Sequence, residues 1–268
     1  MIALLDQLNE FLPTLLRKAG KIILSAHVKT EDDSITTQPG SANFVTVYDV
    51  SVQNFLMREI KARFPSATFI AEEKDNDSGV LESDCCFIID PIDGTTNFIH
   101  DYRHSCISVA VISHNEPIFG AVYDPYLDEY FHAQKGGGAY LGKTPLRVTD
   151  MPFENALIAF GTSPYYKDTL VEPSLALAKE LLLAGSDIRR CGSAALDLSY
   201  LAAGRNDAFF EMILSPWDFA AGYLLITEAG GIITRLDGSP LDFSKPQSVI
   251  ASNRVIYPAL LEITKKYA

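Results

Sequence analysis

The sequence predicts an α+β protein, and three observations carry that prediction. After two helical segments, the first half holds several short strand-like runs divided by glycine turns, which suggests an antiparallel or mixed sheet. The second half alternates strands with helices stopped by glycine. Between helices and meander lies Cys85-Cys86-Phe87-Ile88-Ile89, a short apolar run followed by Asp90-Pro91-Ile92-Asp93-Gly94. Such a run, ended by a Pro and a Gly, reads as a buried strand.

Taken in order, Leu4, Leu5, Leu8, Phe11, Leu12, Leu15, Leu16, Ala19, Ile22 and Ile23 recur at helical spacing, with Pro13 as a bend or a split. A helix packed on a core is the preferred reading over a membrane or partner helix. Segment 30–42 is polar, contains Pro39 and Gly40, and reads as a mobile loop. Residues 44–49 lead into a second helix that places Val52, Phe55, Leu56, Ile60 and Phe64 on one face. Residues 68–71 read as a strand delivering Glu72 and Glu73, and 75–83 as a loop. Strand-like runs follow at 105–113, 117–123, 129–134 and 146–149, with turns at Gly136-Gly137-Gly138 and Leu141-Gly142-Lys143.

In the second half, 156–160 is a predicted strand and 175–184 a helix stopped by Gly185. A strand at 187–190 precedes a helix at 193–203 ended by Gly204. A strand at 208–211 precedes a helix at 217–229 ended by Gly230-Gly231. Short strands around Ile232 and Val249 lead to a last helix from about Tyr257. With no repeat, low-complexity tract or linker, the expectation is one domain over 1–268, built of two intimately packed halves, roughly 1–150 and 151–268.

The 268 residues are 47% hydrophobic, ample for a buried core. Formal charge is 22 − 34 = −12, a poor match for a nucleic-acid backbone or an anionic membrane. A phosphorylated small molecule would need bound cations to reverse the local sign. The cysteines Cys85, Cys86, Cys106 and Cys191 show no CxxC spacing. They read as reduced thiols of a cytoplasmic protein, with no zinc site expected. Asp6 and Glu10 interrupt any early apolar segment, so neither a signal peptide nor a membrane span is expected.

The chemistry concentrates at Asp90-Pro91-Ile92-Asp93-Gly94-Thr95-Thr96-Asn97-Phe98. Two carboxylates end a strand, where open α/β sheets place ligands. Thr95 or Thr96 can cap a following helix, whose N–H groups would face an anion. Asp90 and Asp93 could straddle a pair of hard cations. Equally, they could be turn formers before Pro91 and Gly94. Glu72 ends a neighbouring strand and Asp218 opens the helix of Trp217-Asp218-Phe219-Ala220-Ala221-Gly222, where a plain capping role is the common one. The small residues of that helix allow close backbone approach.

Two patterns mislead. Residues 137–144 read G-G-A-Y-L-G-K-T, a literal phosphate-loop match, but Pro145 and the alternation of 146–149 argue for a hairpin turn. Asp90 and Asp93 stand one residue too far apart for the D-x-D-x-T of aspartyl-phosphate phosphatases, so a covalent aspartyl-phosphate is not expected.

The constellation as a whole resembles the inositol monophosphatase family: E-E at 72–73, D-P-I-D-G-T-T-N-F at 90–98, W-D-x-A-A-G at 217–222 and E-A-G-G at 228–231. V-T-x-x-D at 45–49 and C-G-S-A-A-L at 191–196 extend it. The resemblance implies a layered α-β-α-β-α sandwich of the sugar-phosphatase type. It implies Mg²⁺-dependent hydrolysis of a phosphate monoester, foremost inositol monophosphate, by direct attack of a metal-bound water. Glu72, Asp90 and the Ile92 carbonyl would hold one Mg²⁺, and Asp90, Asp93 and Asp218 a second. A looser third would sit near Glu72. Four carboxylates and a phosphate dianion total −6, matching three divalent ions, and oxygen ligands suit Mg²⁺. Asp49 and Thr95 match the pair that orients and deprotonates the water.

By the same resemblance, phosphate would meet Gly94, Thr95 and Thr96, and the substrate alcohol Asp93, Glu211 and the Gly192-Ser193-Ala194 turn, with Asp218 nearby. Thr162 is a weaker match. Glu73 has no assigned role. Sibling substrates are fructose 1,6-bisphosphate, NADP, histidinol phosphate and 3′-phosphoadenosine 5′-phosphate, but D-G-T-T-N-F and Glu211 favour a polyol. A homodimer, lithium sensitivity and a cytoplasmic location are implied. The alternative of another class is a non-catalytic metal-binding regulatory homologue.

Overall fold

The helical spacing of the first segment produces one helix, α1 (Ile2–Ser25), continuous through Pro13. The computed structural model describes residues 2–26, 35–37 and 44–268, with side chains described for 2–26 and 46–268. Strand β1 (Ile35–Thr37) lies inside the segment expected to be a loop and pairs with β2 (Phe44–Thr46). The remainder of that loop lies outside the described residues. Helix α2 (Val47–Arg63) follows, then β3 (Thr68–Ala71), β4 (Cys86–Asp93), the short α3 (Thr95–Ile99) and β5 (Cys106–Ser113). The meander continues as β6 (Glu116–Asp124), β7 (Glu129–Gln134), β8 (Gly138–Leu141) and β9 (Thr144–Pro145). The second half runs β10 (Leu157–Phe160), α4 (Lys167–Ala184), β11 (Asp187–Arg189), α5 (Ala194–Ala202), β12 (Ala208–Leu214), α6 (Pro216–Glu228), β13 (Ile232–Thr234), β14 (Gln247–Ser252) and α7 (Tyr257–Thr264).

Strands β3 to β9 form a seven-stranded sheet in chain order, antiparallel except for the parallel pair β3–β4. The second sheet has the order β11-β10-β12-β14-β13 and is mixed. Alternation along each strand distributes side chains between layers. On β4, Phe87 and Ile89 pack with Leu8, Leu12 and Leu16 of α1 and with Val52, Leu56 and Ile60 of α2. Cys86 and Ile88 face the opposite way, toward Leu196 and Leu198 of α5 and Ala221 and Leu225 of α6. On β12, Phe209 joins that same middle layer, whereas Ala208 and Phe210 face Leu177 and Leu181 of α4 and Leu260 of α7. The layers are therefore α1/α2, sheet, α5/α6, sheet, α4/α7. This is the expected α-β-α-β-α order. The apolar face of α1 is spent on the first core, which answers the choice between core helix and membrane helix. None of the described helices is long and apolar enough to cross a membrane.

Helix α6 runs through the centre because its small residues permit it. A Cβ at Gly222 would lie 2.6 Å from the Leu198 side chain of α5. Three local expectations are corrected. Segment 75–83 is not wholly loop, since Ser78–Glu82 winds into a 3-10 turn begun by the Asp77 carboxylate accepting from the Gly79 N–H. Segment 146–149 is not a strand: after the Leu146 N–H donates to the Ala139 carbonyl the chain leaves the sheet, and the Val148 N–H donates to the Ala229 carbonyl after α6. Helix α4 begins at Lys167, ahead of its apolar periodicity, and contains Pro173. Residues 137–144 form the β8–β9 hairpin with no helix at Lys143, so the phosphate-loop pattern is a coincidence of spelling.

Candidate active site

Period-two alternation would place Asp90 and Asp93 on opposite faces of β4. They share a face because the strand carries a bulge. Asp90 pairs with Ser108 and Asp93 with Cys106, so Pro91 and Ile92 oppose Ile107 alone. Ile92 turns into the α1/α2 core, and both carboxylates turn toward α5 and α6. The Ile92 N–H donates to Asp90 at 3.0 Å and locks the bulge.

Helix N-termini complete the arrangement. Asp218, in the first turn of α6, accepts from the Ser215 N–H at 2.6 Å. The expected cap and a place in the cluster are thus both true of it. Carboxylate oxygens of Asp90, Asp93 and Asp218 lie within 4.8 Å of one another. Asp93 also accepts from the Ser193 hydroxyl at 2.5 Å and the Ala195 N–H at 2.7 Å. It thereby ties β4 to the start of α5. Glu72 follows β3, its N–H bonded to the Ile89 carbonyl, and stands close enough to raise the pKa of Asp90.

Asp49 sits at the third position of α2. Its carboxylate accepts from the Thr46 N–H at 2.8 Å and hydroxyl at 2.5 Å, while Thr46 caps the helix in return. The Thr95 hydroxyl lies 3.1 Å from the Ile92 carbonyl and 3.4 Å from Asp49. Asp49 is wholly buried behind Thr95 and does not line the cleft. Neither Thr95 nor Thr96 caps α3. That position falls to Gly94 in the left-handed conformation, φ +91°, so Thr95 becomes the first helical residue and its hydroxyl is released to the site. A Cβ at Gly94 would lie 3.0 Å from the His104 carbonyl and 3.1 Å from the Gly192 carbonyl. Gly94→Ala is therefore expected to cost about 1–3 kcal/mol of stability and to displace this turn. Thermal unfolding checks it, and an unchanged melting temperature would contradict the strain.

The cleft has a volume of about 380 Å³. Glu72, Asp90, Ile92, Asp93, Gly94, Thr95, Thr96, Gly192, Ser193, Ala194, Glu211 and Asp218 all line it, as does Glu73. The structure thus brings these expected residues together, with Asp49 standing one layer behind. Thr162 is off the wall, its hydroxyl accepting from Arg190. Sequence reasoning missed Ser163, whose N–H (2.8 Å) and hydroxyl (3.3 Å) both donate to Glu211. The signal was the adjacent Gly161-Thr162-Ser163. It also missed Arg190, Asp197, Tyr165 and Trp217 on the wall. Arg190 had a legible mark, a basic residue immediately before Cys191-Gly192-Ser193.

Electrostatics decides what such a cleft can hold. Seven carboxylate residues line it (Glu72, Glu73, Asp90, Asp93, Asp197, Glu211 and Asp218) against Arg190 as the basic residue among the described lining. Burial first, and the neighbouring carboxylates second, push Glu72 and Asp90 well above the usual carboxylate range. Asp218 is raised well above it by burial and then by Asp93. Burial lifts Asp49 to about 6, against its bonds from Thr46 and Thr95. Glu211 reaches about 7 for the same first reason, opposed by the Ser163 N–H. Seven clustered carboxylates against one basic residue among the described lining are costly, and hard cations relieve that cost. The donor set is all oxygen, with several groups converging, and fits Mg²⁺.

Comparison with known proteins agrees with this geometry. The model of the inositol monophosphatase family matches residues 4–268. The chain belongs to the inositol monophosphatase family. Among family members, it is 38% identical over 246 residues to the Nus factor SuhB of Salmonella typhimurium, covering 91% of each chain. It is 34% identical over 258 residues to the inositol-1-monophosphatase of Bacillus subtilis, covering 96% of each. Among solved structures, an IMPase of Thermotoga maritima superposes with a TM-score of 0.87 at 30% identity over 98% of both chains. A SaIMPase-II structure bound to inositol monophosphate has a TM-score of 0.77 at 30% identity over 97% of this chain and 93% of that one.

Proposed function

We propose that this inositol monophosphatase-family protein hydrolyses a phosphate monoester, foremost inositol monophosphate, with Mg²⁺ held by the carboxylate cluster. The observation that carries the reading is the bulge at 90–93, which turns Asp90 and Asp93 to one side, beside Asp218. Glu72, Asp90 and the Ile92 carbonyl would hold one ion, and Asp90, Asp93 and Asp218 another, with a third near Glu72. Bound there, Mg²⁺ would lower the pKa of water and offset charge on the phosphoryl group.

The remaining roles belong to the chain. Thr95 can give its hydroxyl proton to Asp49 and take one from an attacking water, a relay supported by the 3.4 Å separation. The carboxyl of Asp49, lifted to about 6, suits it to hold that proton near neutrality. The Gly94, Thr95 and Thr96 N–H groups, at the start of α3, would hold phosphate oxygens. On the far wall Glu211 and the Gly192-Ser193-Ala194 turn would orient the alcohol. Glu211 is immobilised by two donors from Ser163, so its free lone pairs have a fixed direction.

Inositol 1-phosphate should be compared with fructose 1,6-bisphosphate, NADP, histidinol phosphate and 3′-phosphoadenosine 5′-phosphate by phosphate release. The expected order places inositol 1-phosphate first in kcat/KM. A sibling in first place keeps the chemistry and overturns the substrate. Glu211→Gln is expected to raise KM for the polyol ester about tenfold, the worth of one charge-assisted hydrogen bond, with kcat changed little. An unchanged KM would remove Glu211 from the substrate wall.

A second reading is a regulatory role apart from catalysis, favoured by the name Nus factor on the 38% identical relative. It predicts no phosphate release from any ester in that panel. We further propose that the chain forms a homodimer, is lithium-sensitive and resides in the cytoplasm, as the family resemblance implies.

A further inference from the structure

A second group of ligand-type side chains lies behind the turn that holds Asp93. His104 precedes β5, Cys191 precedes that turn, and Asp197 lies in the first turn of α5. The sequence separates His104 from Cys191 by most of a sheet, which is why spacing gave no hint of a zinc site. The fold closes the gap through Asn97, whose amide donates to the His104 carbonyl at 2.7 Å and the Cys191 carbonyl at 2.8 Å. One ligand atom from each of the three side chains then falls within 4.8 Å of the others.

The polar bookkeeping points to a ligand here. Among the described residues, Nε2 of His104 and Oδ1 of Asp197 are buried and find no hydrogen-bond partner. Asp197 is 2% exposed. Buried polar atoms in native proteins find partners, and exceptions mark missing ions or waters. The Cys191 thiol and the Asp197 carboxylate each feel the other, and Cys191 is half-buried, so small ions have a way in.

We propose that His104, Cys191 and Asp197 form a binding site for a borderline transition-metal ion of the Zn²⁺ class, behind the 192–194 turn and sharing Asp197 with the wall of the oxygen-lined cleft. Imidazole, thiolate and carboxylate are the donor set that Zn²⁺ prefers, and the cleft's all-oxygen set suits a harder ion. A tetrahedral ion requires ligand atoms roughly 3.3–3.8 Å apart, a closure of about 1 Å by side-chain rotation. On binding, the Cys191 S–H proton leaves to solvent as the sulfur–metal bond forms. Thiolate and carboxylate together neutralise the divalent charge, and a water takes the fourth position. The proposal does not rest on the hydrolytic reading.

Because Zn²⁺ would also enter the carboxylate cleft, the test uses Co²⁺ as a spectroscopic probe, with Mg²⁺ in excess. A near-ultraviolet thiolate-to-Co²⁺ charge-transfer band arises from a sulfur ligand and not from oxygen ligands. The band is expected in the wild type and in Asp93→Asn, and is expected to vanish in Cys191→Ser and His104→Gln, each checked for folding by circular dichroism. Co²⁺ uptake without the band in the wild type would overturn the proposal. So would a band that survives in His104→Gln or Cys191→Ser, or one abolished by Asp93→Asn.

Discussion

Asp93→Asn is expected to lower kcat/KM for phosphate release by about 10³-fold or more, equivalent to about 4 kcal/mol of transition-state stabilisation. Asn matches Asp in volume and can still accept from the Ser193 hydroxyl and the Ala195 N–H, so the bond between β4 and α5 has a substitute. What disappears is one negative charge among the three carboxylates that converge within 4.8 Å. The loss should therefore appear as a higher Mg²⁺ requirement together with a lower kcat, while circular dichroism stays that of the wild type. Full activity with Mg²⁺ still required would remove Asp93 from the site.

The metal-free protein should become less stable as pH rises, and Mg²⁺ should rescue it most at the alkaline end. Asp49 and Glu211 have folded-state pKa values of about 6 and about 7, raised from 3.8 and 4.5. A raised carboxyl binds a proton in the folded state that the unfolded state has released. The unfolded chain thus holds fewer protons through this window, and unfolding free energy falls as pH increases. The contribution is fully present below about pH 4 and is lost as pH passes 6–7. At about 1.36 kcal/mol per pKa unit, each group accounts for about 3 kcal/mol over the whole window. Glu72, Asp90 and Asp218, also raised, act in the same direction. Mg²⁺ binds the folded cluster and at a hundred times its Kd adds about 2.7 kcal/mol. Melting curves in chelator from pH 5 to pH 8, repeated with Mg²⁺, check both parts. A metal-free melting temperature that climbs over this range, or a Mg²⁺ effect larger at pH 5 than at pH 8, would contradict the account.

Much of this was legible in the chain. Strand β7 begins and ends at the expected residues, 129–134, and β3 at 68–71, because both are short runs bounded by turn residues. The four carboxylates Glu72, Asp90, Asp93 and Asp218 could be listed from sequence, since strand ends and helix starts are local signals. Their convergence could not be derived that way. It depends on a bulge whose extra residue is visible only in the pairing of β4 with β5. The release of Thr95 from capping depends on a positive φ at Gly94, which an expected Thr cap had hidden. Ser163 and Arg190 are long-range wall residues, placed by the second sheet and not by any neighbour in sequence. Pairing also decided 146–149: the alternation was present, but the Val148 N–H was claimed by the end of α6.

The central claim, a carboxylate cluster that hydrolyses a phosphate monoester with bound Mg²⁺, is tested most directly by phosphate release from inositol 1-phosphate. The wild-type protein should be stripped with chelator and then titrated with Mg²⁺. Release is expected to be negligible in chelator and to rise saturably with Mg²⁺, at a rate that Asp218→Asn does not approach. Release that is indifferent to Mg²⁺, or equal in wild type and Asp218→Asn, would contradict it.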